Sequence, residues 1–145
     1  MDVTHGKYLG VDYGDKRTGL AECDVSGMLA SGITTISEGG MRKTAQRVAK
    51  EAISRGCKKI IVGMPRNMDG SEGPRAEVVK AFAALLSEEC EIPIDFFDER
   101  MTTMVAYRYL DGSGTYGKAR RAAIDTLSAE IILQGYIDRE RSMKK

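Results

Sequence analysis

One histidine, three cysteines and no apolar run near the roughly 20 residues that cross a bilayer remove several classes of function at once. His5 sits in a polar start expected to fray, which argues against imidazole acid–base chemistry and against a zinc site. Cys23, Cys57 and Cys90 are odd in number, far apart and set in apolar stretches, so reduced, buried thiols are expected instead of a disulfide framework or a zinc knuckle. Met1–Gly6 has no apolar h-region, and the chain reads as cytoplasmic with no membrane partner. A large excess of charge is also missing. The net charge of +1 does not announce a polyanion binder, so local clusters must decide: Lys118, Arg120 and Arg121; Arg42, Lys43 and Arg47; and Arg139, Arg141, Lys144 and Lys145. What is present, 145 residues of which 42% are hydrophobic and 30% charged, suits one domain over 1–145 with a single core.

Lys7–Asp12 is a short apolar run, and after the turn Tyr13-Gly14-Asp15-Lys16 the run Thr18–Cys23 reads as its hairpin partner. A third strand over about Leu29–Ile36 completes an antiparallel meander, broken by Gly39 and Gly40. Met41, Ala45, Val48, Ala49, Ala52 and Ile53 form the stripe of an amphipathic helix closed by Gly56. Lys59–Gly63 reads as a buried strand, and the loop Met64–Gly73 leads to a helix carrying Val78, Val79, Phe82, Leu85 and Leu86 inward. Pro93–Phe97 gives a fifth strand, Thr102–Leu110 a short helix and Lys118–Asp138 a long last one. The expected architecture is α/β, a mixed five-stranded sheet of meander plus parallel strands, flanked by helices.

In such a sheet, sites form beyond the carboxyl ends of parallel strands. Asp12 ends the first strand, the Met64–Gly73 loop follows the fourth and Asp98-Glu99-Arg100 follows the fifth, so if these strands are parallel neighbours, two acids from distant parts of the chain can meet at one edge. Adjacent residues leaving a strand point opposite ways, and the spacing alone does not choose between Asp98 and Glu99. Asp125 shares a helical stripe with Ala129, Ile132 and Tyr136, where an unpaired charge would be costly; equally, it could cap a helix beginning at Thr126. Three carboxylates within about 4 Å would repel by roughly 4 kcal/mol per pair at an effective dielectric near 20. A cation is then required, and an all-oxygen set favours Mg²⁺ or Mn²⁺. Two such ions about 4 Å apart can drive hydrolysis at phosphorus.

Asp15 and Asp69 read as turn residues, and Arg100 is balanced between a carboxylate and a phosphate partner. Gly112–Lys118 imitates G-x-G-x-x-G and part of a P-loop, but it follows a helix and Ala119 stands where a hydroxyl is needed. A phosphotransferase of the actin or sugar-kinase kind is suggested by Asp12-Tyr13-Gly14 and disfavoured by length, since two such domains must clasp the nucleotide. A catalytically silent module binding RNA, a ribosomal particle or another protein is the other alternative.

Gly10-Val11-Asp12-Tyr13-Gly14, Thr18-Gly19, Val62-Gly63-Met64-Pro65-Arg66-Asn67-Met68-Asp69-Gly70, Asp98-Glu99-Arg100-Met101-Thr102, and Ile124-Asp125 through Ile131-Ile132-Leu133-Gln134 together resemble the ordered signature of the YqgF/RuvX family. The resemblance implies an RNase H-like fold, akin to the RuvC resolvase, and a nuclease that matures the 5′ end of 16S rRNA or resolves Holliday junctions. It assigns Asp12, Glu99 and Asp125 as catalytic metal ligands for Mg²⁺ or Mn²⁺. Lys16, Arg17, Thr18, Arg66, Asn67, Arg100, Lys118, Arg120 and Arg121 would border or contact nucleic acid, either pre-rRNA or branched DNA, with ribosomal particles as a further partner. The chain would act as a monomer on RNA or a weak homodimer on a junction. Arg66 and the short glycine-rich stretch between Leu110 and Lys118 depart from the family pattern.

Overall fold

The structure is a computed structural model that describes residues 6–24, 29–37, 39–65, 69, 71–98 and 117–143, the side chains of 117–125 and 143 excepted. Three strands, β1 (Lys7–Asp12), β2 (Thr18–Cys23) and β3 (Ala30–Ile36), form the expected meander. Helix α1 (Met41–Ser54), strand β4 (Cys57–Met64), helix α2 (Pro74–Glu89), strand β5 (Ile94–Asp98) and helix α3 (Gly117–Met143) follow. The sheet order is β3-β2-β1-β4-β5. β1 and β2, and β2 and β3, pair antiparallel; β4 runs parallel to both β1 and β5. The chain therefore leaves the meander through α1 and inserts β4 beside β1, the long crossover that parallel pairing demands.

Alternation along each strand divides the core in two. Leu9, Val11, Leu20, Ile60, Val62 and Met64 face α1 and α2, where Ala45, Val48, Ala52, Val79, Phe82 and Leu86 meet them. Tyr8, Ala21, Cys23 and Ile61 face α3 and are covered by Ala129, Ile132, Leu133, Tyr136 and Ile137. At roughly 25 cal/mol per Å² of apolar surface, such two-sided burial is what stabilises a sheet of this size.

Several boundaries differ from expectation. β4 begins at Cys57, two residues early, because Cys57 is drawn into register with Lys7. Pro93 lies outside β5: without an N–H it cannot join the ladder as a donor, although its carbonyl accepts from the Ile60 amide at 2.9 Å. Leu29 precedes β3 and is 65% exposed, and Ile53, expected inward, is 59% exposed. Val78 and Leu85 lie at the margin of the core, not inside it. Cys23 and Cys57 are buried and reduced, whereas Cys90 is only partly covered. The helix expected over Thr102–Leu110 lies outside the described residues.

Candidate active site

Asp12 closes β1, and the register Val11↔Val62 sets it level with Gly63, which pairs with Phe97. Tyr8 and Gly10 lie on the α3 face, so by alternation Asp12 does too. Asp98 pairs with Met64 and, one residue past Phe97, falls on the opposite, α1/α2 face with Phe96. The pleat thus removes Asp98 from the face that Asp12 occupies. Position 99 lies outside the described residues.

α3 lies close to β1. A Cβ at Gly10 would come within 2.7 Å of the Leu133 Cβ and 2.9 Å of the Ala129 carbonyl oxygen, so only glycine permits this approach. Farther down, the Tyr8 hydroxyl donates to Glu140 at 3.0 Å, which fixes α3 antiparallel to β1. From Gly10 to Asp12 the strand advances about 6.6 Å. From Ala129 back to position 125 the helix advances about 6 Å in the same direction. The backbone at 125 therefore reaches the level of Asp12. Because α3 begins at Gly117, position 125 lies in the helix interior, and the alternative of a cap before Thr126 is excluded. The stripe Ala129, Ile132 and Tyr136 below it is buried.

The turn after Asp12 is tightly built. Gly14 and Thr18 close it, the Thr18 hydroxyl bonding both the Gly14 amide and the Gly14 carbonyl at 3.4 Å. Thr18 is 1% exposed, so its hydroxyl shapes the turn from within. Lys16 is exposed and Arg17 half-buried at the same edge. On the other side, Arg75 from the first turn of α2 donates to the Tyr13 carbonyl at 3.0 Å and to Asp15 at 2.9 Å. The Tyr13 ring stacks on Phe82 at 4.3 Å, with the Arg75 guanidinium 5.6 Å from its centroid. Burial, joined by Asp15 and opposed by Arg75, holds the Tyr13 phenol above its ordinary range, so it is neutral at physiological pH. Asp69 accepts from the Ser71 amide and hydroxyl, the turn role expected of it.

Lys118, Arg120 and Arg121 lie on the first two turns of α3, at the end that points past Asp12, with only their backbone described. Glu99, Arg66, Asn67 and Arg100 fall outside the described residues, and among those described no three acids, cysteines or histidines converge. Among the described residues, the acid that reaches this edge, Asp12, offers oxygen alone. Cys23 and Cys57 are buried in the core and take no part at this edge. That chemistry fits a hard dication better than zinc.

Arg75 and Tyr13 were not foreseen. A signal existed for Arg75: it sits at the second position of α2, where a cation opposes the helix dipole and needs compensation from elsewhere.

The order β3-β2-β1-β4-β5, with two helices on one face and a long one across the other, defines the RNase H-like class. The T. thermophilus RuvC bound to a Holliday junction shares this fold, with a TM-score of 0.60 over 95% of this chain and 97% of that one at 13% identity. The chain belongs to the RuvX family, whose model, described as Holliday junction resolvase, matches residues 6–139. It is 45% identical over 136 residues to the Moorella thermoacetica protein named "Putative pre-16S rRNA nuclease", covering 92% of this chain and 95% of that one. A protein of the same name from Caldanaerobacter subterraneus subsp. tengcongensis is 40% identical over 137 residues, covering 94% and 99%.

Proposed function

We propose that this chain is a cytoplasmic, divalent-metal-dependent nuclease that hydrolyses nucleic-acid phosphodiesters, with the 5′ end of pre-16S rRNA as its substrate. The observation that carries the reading is the shared level of Asp12 and helix position 125 on one face of the sheet, set by the approach of α3 to Gly10. The names of the curated relatives support the RNA substrate. Asp12, Glu99 and Asp125 would hold Mg²⁺ or Mn²⁺, with Asp98 set aside by its position on the other face. When bound, a pair of such ions supplies an activated water and stabilises the leaving oxygen at phosphorus.

The residues of the chain itself do the rest. Lys16 and Arg17 on the turn, Lys118, Arg120 and Arg121 at the start of α3, and Arg66, Asn67 and Arg100 would hold phosphates along the strand being cut. Gly14 and the buried Thr18 keep the turn in shape for that contact. A monomer suffices to trim one RNA end, and ribosomal particles would present it.

The family description and the RuvC-like fold favour a second reading, a resolvase cutting branched DNA, which requires a two-fold dimer. The deciding experiment incubates the purified chain with 5′-extended rRNA and with a synthetic four-way junction, in Mg²⁺ or in EDTA. Cleavage of the rRNA at its mature 5′ end, abolished by EDTA, is expected. Asp12→Asn should lower the rate by more than the roughly 100-fold that follows loss of a ligand's supporting partner, with unchanged circular dichroism. Cleavage of the junction alone would transfer the assignment to DNA, and an unimpaired Asp12→Asn would remove the mechanism.

A further inference from the structure

The residue immediately after Asp12 is held by one side chain from a distant element. We infer that Arg75 is a positioning residue for the catalytic edge, clamping the Tyr13–Arg17 turn to α2 so that the Asp12 carboxylate is fixed; this rests on the nuclease reading above.

Three contacts converge on the clamp. Arg75 Nη2 donates to the Tyr13 carbonyl at 3.0 Å, Nη1 donates to Asp15 at 2.9 Å, and the guanidinium lies 5.6 Å from the centroid of the Tyr13 ring. The far side of that ring is no looser, since Tyr13 stacks on Phe82, a residue fully buried in α2. A guanidinium is rigid and planar, and its fork holds a carbonyl and a carboxylate in one fixed geometry; an ammonium on a flexible stem has no such fork.

The energetic weight falls on the inner contacts. The Asp15 carboxylate is 72% exposed, and an exposed ion pair contributes little by itself. The Tyr13 carbonyl belongs to the Tyr13–Gly14 peptide, one residue beyond Asp12, so its hydrogen bond fixes the backbone of Tyr13 and with it the path by which the chain leaves Asp12. Arg75 lies in the first turn of α2, so the same side chain ties the start of that helix to the strand-one turn. Catalytic carboxylates need placement within about 0.5 Å, which a free five-residue turn does not give.

The test uses the full chain and two kinds of readout. Hydrogen exchange is followed in the peptide covering Asp12–Thr18 for wild type, Arg75→Ala, Arg75→Lys and Asp15→Asn, alongside urea unfolding. In Arg75→Ala and Arg75→Lys, protection of this peptide should fall at least tenfold more than that of β4. Asp15→Asn should retain most of it. Cleavage kinetics then divide position from contact: kcat should fall at least tenfold in both Arg75 variants, with KM for nucleic acid within about twofold of wild type and a higher Mg²⁺ requirement. Unchanged exchange in Asp12–Thr18, loss of protection everywhere in step with global stability, or a raised KM at wild-type kcat would each overturn the inference. If the wild-type chain cuts nothing, the nuclease reading fails, and the exchange arm still decides whether Arg75 holds the turn.

Discussion

Glu51 shows how single side chains tie the far end of the sheet to α1. It accepts from Arg55 at 3.0 Å and Arg47 at 3.2 Å, and Arg55 reaches on to Glu22 of β2 at 3.0 Å. The Arg55 hydrogen bond, against a smaller burial effect and with help from Arg47, holds the Glu51 carboxyl below its ordinary 4.5. A lowered folded value stabilises the native state above the unfolded value, and that contribution is lost as pH falls through the lowered one. Urea midpoints measured between neutral pH and about pH 3 should therefore drop on the acid side, and Glu51→Gln should flatten that drop. At this scale the sequence was only partly readable. Asp12 stood out because an acid ends an apolar run, and Asp69 because Asp favours turns. Spacing alone did not separate Asp98 from Glu99, and only the family resemblance chose Glu99; the pairing of Met64 with Asp98 adds the face of Asp98. Arg75 showed only as a cation in the first turn of a helix, and its partners could not be read because they lie 60 and 62 residues away.

Among elements, the seating of α3 governs the candidate site. Gly10→Ala would push a methyl into Leu133 and the Ala129 carbonyl, and overpacking of this kind typically costs about 1–3 kcal/mol. A lower melting temperature is expected. Cleavage assayed well below that temperature should fall further than the folded fraction explains, because the helix turn carrying position 125 moves away from Asp12. Equal losses in folded fraction and rate would detach the helix seating from catalysis. α3 also protects an edge: Glu130 accepts from the Gly32 amide at 2.6 Å and Gln134 from the Ala30 amide at 2.8 Å. Outward donors of β3 are thereby taken within the chain, which blunts the edge against pairing with another strand. The mixed sheet, a meander plus parallel strands, followed from hairpins and crossover rules before any coordinates, whereas the order β3-β2-β1-β4-β5 came only from the pairing itself. Ile53 was not, because a periodic stripe does not reveal where the covering helix ends and solvent begins. Nor did the stripe tell whether position 125 capped a helix or lay within one, since its N-terminal flank holds both glycine and good helix formers.

Over the whole molecule, a net charge of +1 hides an uneven distribution. At the end of α3 remote from position 117, Lys59 is enclosed: its ammonium donates to the Tyr136 hydroxyl at 2.9 Å and lies 5.4 Å and 5.3 Å from the Tyr8 and Tyr136 ring centroids. Burial disfavours that charge, but Tyr136, Glu140 and Asp95 more than compensate and leave the Lys59 pKa raised. This cation serves the fold. Lys16 and Arg17 lie on the turn after Asp12, and the backbone of 118, 120 and 121 lies on the first two turns of α3; the proposed reading gives these five cations to the nucleic-acid strand. Each phosphate contact contributes roughly 0.7–0.9 to the slope of log affinity against log salt. Replacing Lys118, Arg120 and Arg121 by alanine together should therefore lower the slope by about two to three while leaving the melting temperature within a few degrees. An unchanged slope in filter-binding titrations would place the strand elsewhere.

The covering of Tyr8, Ala21, Cys23 and Ile61 by α3 has a consequence for biosynthesis. A nascent chain halted before that helix emerges leaves half the sheet wet. Translation must pass the end of α3 before both sides of the sheet are dry, and on the proposed reading no cutting edge forms on the RNA until then.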